Sequence, residues 1–391
     1  MQTSKHGIGG GWRPIGLAML IISLLTCSPL RAEADIADRW QTLTEAGTTA
    51  RDQAQYEDAE RLFLLATQEA EQFEPGDRRV AATLNNLGLV YHAQGQYARA
   101  KPYYEQALAR WEQALGSDHA DVGSALNNLA EIYQEEGAFE QAEAAYLRSL
   151  AIGERAFGRG HPELAVGLNN LAGLYRKQGR LVQAESHFRL ALAFLAGADG
   201  ATLIDPSTFL NNLAALYKEK GFYSYAEPLY RQALSLRLER FGHHHPSVAI
   251  CLNNLANLYH AQELPELADH YYREALAVSE SAAGPEAALT GMILENWAWL
   301  SHERGLVDEA KLRYQRALVI QQQTLGPHHP RVAMLCERYA GLLHGLGQSV
   351  EANLFAARAA AIRVHQTQSS RSPEQNQPNV TSLEAQKGVR R

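Results

Sequence analysis

An all-α solenoid of tandem helix-turn-helix units is the fold class this sequence predicts, on three observations. A short motif returns every 42 residues along most of the chain. The columns around that motif keep the same step. Within each step, the apolar residues follow the one-face spacing of an α-helix and stop at glycine.

The first element in order is an expected processing segment, residues 1–34. Lys5 and Arg13 give a positive start, Ile15 to Cys27 is an apolar run of 13 residues, and small-residue cleavage patterns end at Ala32 or Ala34. That order reads as a secretory signal. A bilayer span needs about 20 apolar residues, so a permanent transmembrane helix is the weaker reading. The expected location is the periplasm or the extracellular space. The alternative is a membrane-anchored form, through an uncleaved N-terminus or through lipidation of Cys27 in Leu24-Leu25-Thr26-Cys27. Removal of Lys5, Arg13, Arg31 and Glu33 takes the net charge from −7 to −9.

The array follows, at 35–365. Leu84-Asn85-Asn86-Leu87-Gly88 recurs as Leu126-Asn127-Asn128-Leu129-Ala130, Leu168-Asn169-Asn170-Leu171-Ala172, Leu210 to Ala214 and Leu252 to Ala256. Eroded copies stand at Leu294 to Ala298 and Cys336 to Ala340. Gly95, Gly137, Gly179, Gly221, Gly305 and Gly347 share one column, interrupted by Glu263. Ala100, Ala142, Ala184, Ala226, Ala268, Ala310 and Ala352 share another. Tyr56, Ala59, Phe63 and Ala66 match Tyr97, Ala100, Tyr104 and Ala107 at a step of 41, which adds a degenerate first unit. The expected units are about 40–79, 80–121, 122–163, 164–205, 206–247, 248–289, 290–331 and 332–365.

Each unit reads as two helices. In the second unit, Leu84, Leu87, Gly88 and Tyr91 lie on one face of a helix from about Val80 to Gln94, which Gly95 ends in a left-handed position. A second helix starts near Tyr97, carries Ala100, Tyr104, Ala107, Leu108 and Trp111, and stops at Gly116. Connections to the next unit hold His161-Pro162, His245-Pro246 and His329-Pro330. Proline suits the first turn of a helix, where its missing N–H has no partner to lose. The unbroken alanine column marks a close approach of two helices. Residues 366–391, rich in Gln, Ser and Pro, read as a disordered polar tail.

The pattern L-N-N-L-A-x-L-Y-x-x-Q-G, then A-E-x-x-Y-x-x-A-L, then G-x-x-H-P, resembles the 42-residue tetratricopeptide repeat of the kinesin light chain type. The resemblance covers roughly residues 40–365. It implies a right-handed superhelix whose first helices line a concave groove that binds peptides. No cofactor is expected.

With residues placed 100° apart, the side of the first helix opposite its apolar stripe carries Asn85, Asn86, Leu89 and His92 and is expected to face the groove. Asparagine is a mediocre helix former, so two of them at every helix centre call for a reason. The second of each pair suits a hydrogen bond that fixes unit spacing. The first of each pair, Asn85, Asn127, Asn169, Asn211 and Asn253, suits a ladder of amides gripping a peptide backbone. Specificity is expected from neighbouring columns. Arg176 and Lys218 make the centre basic, Glu131 and Glu135 make the third unit acidic, and His260, Trp299 and His302 mark the later units.

Other chemistry finds little support. A mildly acidic chain with no Lys/Arg run disfavours nucleic acid. His260, His302 and His344 sit one unit apart, too far to share an ion at about 2.0–2.1 Å per ligand, so no metal site is expected. Cys251 and Cys336 lie two units apart and are expected as reduced thiols. No G-x-S-x-G, H-E-x-x-H, C-x-x-C or phosphate loop occurs. The expectation is a non-enzymatic scaffold for a protein or peptide partner. The alternative is a regulatory or sensor subunit of a separately encoded enzyme.

Overall fold

In the computed structural model, the structure describes residues 29–53, 55–74, 76–197 and 204–371. The expected signal sequence up to residue 28, Cys27 included, lies outside the described residues, as does the tail from 372. The described residues form sixteen α-helices and no strand. They pair as α1 (Pro29–Asp52) with α2 (Tyr56–Ala70), α3 (Arg78–Ala93) with α4 (Tyr97–Leu115), and α5 (Ala120–Glu135) with α6 (Phe139–Phe157). The next pairs are α7 (Leu164–Lys177) with α8 (Leu181–Ala196), α9 (Ser207–Glu219) with α10 (Tyr223–Phe241), and α11 (Pro246–Ala261) with α12 (Pro265–Ala282). The last are α13 (Ala288–Glu303) with α14 (Val307–Leu325), and α15 (Pro330–Gly345) with α16 (Ser349–Arg371).

Both ends differ from the expected borders. Helix α1 begins at Pro29, inside the segment read as a signal. Helix α16 runs to Arg371, six residues into the stretch read as disordered. Its Ala-rich centre, Ala356 to Ala361, has the highest intrinsic helix propensity and carries the helix past the packed units.

Inside each unit the sequence dictates the turns. Gly95 has φ +69°, and the Gln96 amide reaches back to the Tyr91 carbonyl at 2.9 Å, closing the helix end. Glu263 holds the same position at φ 58°, a left-handed conformation that costs a side-chain-bearing residue roughly 1–2 kcal/mol. The helix starts are capped by side chains. Asp77, His119, His245 and His329 each accept a hydrogen bond from the amide two residues on. The histidine before proline is therefore a helix cap, with Nδ1 in the role that Asp77 Oδ1 plays earlier. Pro246 and Pro330 occupy the first helical positions, whereas Pro162 sits in a turn ahead of α7.

The core runs through the array as one seam. The seven alanines of the column are fully buried, and Tyr104, Tyr146, Phe188, Tyr230, Tyr272 and Tyr314 are buried beside them. Cys251 and Cys336 are buried, unpaired thiols. First helices pack on the next first helix at α1/α3, α7/α9, α9/α11, α11/α13 and α13/α15, with no comparable packing between successive second helices. The ribbon therefore curves with its first helices inside. It curves far enough to meet itself, because α16 packs on α4 and the His329-Pro330 loop touches the Gly95 turn. A Cβ on Gly95 would lie 2.7 Å from His329 Cδ2.

Candidate partner-binding groove

The inner wall is strung on a ladder of side-chain amides. Asn128 Nδ2 donates to Asn85 Oδ1 at 2.8 Å, Asn170 to Asn127 at 3.1 Å, and Asn212 to Asn169 at 2.8 Å. Asn254 donates to Asn211 at 3.2 Å and Asn296 to Asn253 at 3.1 Å. Each rung joins the second asparagine of one unit to the first of the unit before. The side expected to be free is thus engaged across units, and Asn253 is 2% exposed. Each neutral bond is worth about 1 kcal/mol net, and the ladder fixes the angle between neighbouring first helices. The first asparagines give up Oδ1 to the ladder. The Nδ2 donors of Asn85, Asn127 and Asn253 have no partner among the described residues.

The sixth rung changes chemistry. Glu295 stands where an asparagine is expected and is 1% exposed. Arg338 Nη1 approaches its Oε1 at 3.1 Å, off the hydrogen-bond axis. Gln321 Nε2 donates to the other carboxylate oxygen at 3.0 Å, and Arg331 lies 3.7 Å from it. The Arg338 guanidinium also lies 4.6 Å from the ring of Trp299, which is 42% exposed. The His260 ring meets Trp299 edge-on at 5.5 Å, and His260 Nε2 is 2.6 Å from Glu303 Oε2. The structure therefore gathers His260 and Trp299, two of the expected site residues, into one cluster. His302 is half-buried on the same first helix as Trp299.

Charge along the groove is segregated. Glu131 lies 3.9 Å from His92, and burial followed by the nearby Glu135 holds its carboxyl above the usual range. Arg176 and Lys218 form the basic centre. Burial pushes the Lys218 ammonium below its ordinary pKa, and the positive charge of Arg176 adds to that shift. Among the described residues, Glu219 lies 3.9 Å from Arg176, and no carboxylate is within ion-pair distance of Lys218. Among the described residues, no group of three or more His, Cys, Asp or Glu side chains lies together as a metal site would require.

A second set of cross-unit contacts escaped the sequence reading. Tyr175 donates to Glu143 at 2.9 Å, Tyr217 to Glu185 at 3.0 Å and Tyr259 to Glu227 at 2.8 Å. The hydrogen bond from Arg180 holds the Glu143 carboxyl below the usual carboxylate range. In the seventh unit Ser301 replaces the tyrosine, and Trp297 Nε1 instead donates to Asp269 at 2.8 Å. The tyrosine and acid columns share the 42-residue step, so the signal was present in the sequence.

Comparison with known proteins agrees with this architecture. Tetratricopeptide repeat profiles match residues 40–113, 79–152, 121–196 and 205–281, and a further one matches 290–331. The chain belongs to the tetratricopeptide repeat family. Among solved structures, it is similar to BtubC (BKLC) from P. vanneervenii, at 25% identity over 59% of this chain and 92% of that one, with a TM-score of 0.49. It is similar to the nearly identical TPR-like repeats of a Podosopora anserina kinesin light chain, at 22% identity over 53% and 97%, with a TM-score of 0.43. A Rap protein complexed with Competence and Sporulation Factor matches over 86% of this chain and 99% of that one, at 12% identity and a TM-score of 0.52. That last likeness is one of fold. No curated protein sequence matches the chain. An array of this family is a protein–protein interaction scaffold, and such scaffolds are generally non-enzymatic. No helix among the described residues is long and apolar enough to cross a membrane.

Proposed function

We propose that this scaffold binds an extended, acidic segment of a partner polypeptide along its inner wall. One observation carries the reading. Lys218 is a desolvated ammonium beside a second cation, with no carboxylate at ion-pair distance among the described residues. Burial and the Arg176 charge outweigh the one nearby carboxylate, Glu219, and a ligand carboxylate adds to the charge that these two cations lack. The unpartnered amide donors of Asn85, Asn127 and Asn253 offer backbone contacts whatever the ligand's side chains. Trp299, backed by Arg338 and His260, offers an aromatic anchor of the kind that dominates interface energy. Several hydrogen bonds at roughly 1 kcal/mol each, with one anchor, reach micromolar affinity, about −8 kcal/mol.

The test is selection from a random phage-displayed peptide library on the purified protein, in parallel with an R176E/K218E variant. The expected result is enrichment of Asp- and Glu-containing segments on the wild type and their loss on the variant. The same sequences enriched equally on both would sink the reading. The N-terminal pattern of charge, apolar run and small residues supports an exported protein, periplasmic or extracellular. Cell fractionation with an intact cytoplasmic marker checks that, and retention in the cytoplasm would refute it.

A further inference from the structure

The two ends of the array differ in what they leave exposed. A solenoid begins and ends on a helix with no further unit to pack on, and a polar outer face there keeps the array soluble. Residues 33–52 of α1 follow that rule and expose no large apolar side chain. The last helix, α16, breaks it. Val350, Leu354 and Val364 are 81%, 66% and 54% exposed, and Ala357 and Ala361 are exposed between them. The packing of α16 on α4 leaves all five open to solvent.

The same five columns are charged or polar earlier in the repeat. In the sixth unit they hold Glu266, His270, Arg273, Ala277 and Glu280. In the seventh they hold Asp308, Leu312, Gln315, Val319 and Gln322, and in the eighth every one is apolar. Their spacing on α16 alternates between four residues and three, which is the seam of a two-helix coiled coil. Ala352, Ala359 and Ile362, which attach α16 to its own unit, are buried on the other side of the helix.

We propose that this stripe is a dimer interface, with α16 packing antiparallel on α16 of a second copy of the chain. Under a two-fold axis passing between Phe355 and Ala356, each bulky residue meets a small one. Leu354 meets Ala357 of the partner subunit, Val350 meets the partner's Ala361, and Val364 meets the partner's Gly347. Glu351 and Arg358 flank the seam on one side, seven residues apart. The antiparallel arrangement sets Glu351 beside the partner's Arg358 and repeats that ion pair across the axis. A parallel pair would set Arg358 against the partner's Asn353 and Glu351 against the partner's Leu346, matching neither charge. One patch serves both copies, so the assembly closes at two, and α1 offers no apolar counterpart for head-to-tail growth. The stripe spans about 21 Å of helix. That is short for a permanent interface, so the expected dimer is reversible, with a micromolar dissociation constant. It lies on a second helix, away from the inner wall, and stands apart from the charge reading of the groove.

Sedimentation equilibrium of the full chain over a concentration series is the test, with circular dichroism as the check on folding. A monomer–dimer equilibrium is expected, and Leu354→Lys is expected to raise its dissociation constant at least tenfold, about 1.4 kcal/mol. Should that variant misfold, Val364→Asp at a second exposed position gives the same test. Glu351→Arg and Arg358→Glu are each expected to weaken the dimer about threefold, and the two together to restore it. A monomer at every concentration up to about 100 μM overturns the proposal. So does association that Leu354→Lys and Val364→Asp leave unchanged, growth beyond the dimer, or a double charge variant no tighter than the single ones.

Discussion

The junctions from unit two to unit seven and the junction of units seven and eight carry the same inner-wall rung in two chemistries. In the earlier stretch an amide meets an amide, five times, mostly half-buried. In the later one Glu295 meets Arg338 across an equivalent junction, with the carboxylate almost wholly buried and Gln321 and Arg331 added around it. An amide rung is self-contained and needs no counter-charge, so it can be copied along an array at little cost. A charged rung desolvates an ion and recruits partners from a second helix and from the following unit. It also leaves an arginine lying over Trp299, which gives the seventh unit a groove surface the earlier units lack. The buried charge and the exposed Trp299 surface are therefore tied together at the far end of the array, whereas the amide rungs nearer its start carry no such surface.

That contrast can be broken first at the charged rung. Glu295→Ala leaves Arg338 and Gln321 facing an empty buried site and is expected to cost about 3–5 kcal/mol in urea unfolding. Glu295→Asn with Arg338→Asn rebuilds an amide rung and is expected to recover most of that loss. Failure of the double variant to recover would mean that the two rungs are not equivalent. At the amide rungs the effect is smaller. Asn169→Ala leaves the Asn212 amide without its acceptor and is expected to cost about 1 kcal/mol by the same measurement.

The self-contact between units two and eight gives a smaller and cleaner difference. Gly95 and Gly137 share a turn position, at φ +69° and +76°, but only Gly95 has a neighbour within reach of an added Cβ. Alanine at either site pays the left-handed backbone cost, and Gly95→Ala is expected to lose about 1 kcal/mol more through its clash with His329. Equal losses would show that the contact contributes nothing in solution.

The smallest effect is one of pH. Burial, with the nearby charge of Arg331, lowers the His329 pKa from 6.5 to about 4. The ring is neutral in the folded chain and gains a proton more readily when unfolded. Its stabilising contribution is therefore complete above pH 6.5 and is lost as pH falls towards 4. His329→Asn keeps a capping acceptor and is expected to flatten that slope in thermal melts between those limits.

The period, the helix pairs, the glycine stops and the alanine seam were legible because they are one-dimensional signals that repeat. The second asparagine of each pair was also legible as a spacer. Its partner, the first asparagine of the preceding unit, was not, because a helical wheel for one helix assigns that face to solvent. The His-Pro loops read as punctuation, and only the geometry shows Nδ1 capping the next helix. The contact of His329 with Gly95 depends on the superhelical pitch, to which every junction contributes a little, so no local pattern contains it. The charge pattern of the groove was readable, whereas the burial of Lys218 beside Arg176 was not.

The central claim is that the inner wall is the binding surface. Hydrogen–deuterium exchange with an acidic peptide selected on the wild-type protein tests it most directly. Slowed exchange is expected in the first helices α7, α9, α11 and α13, around Arg176, Lys218 and Trp299, with second helices α8, α10 and α12 unchanged. Protection confined to the second helices would contradict it.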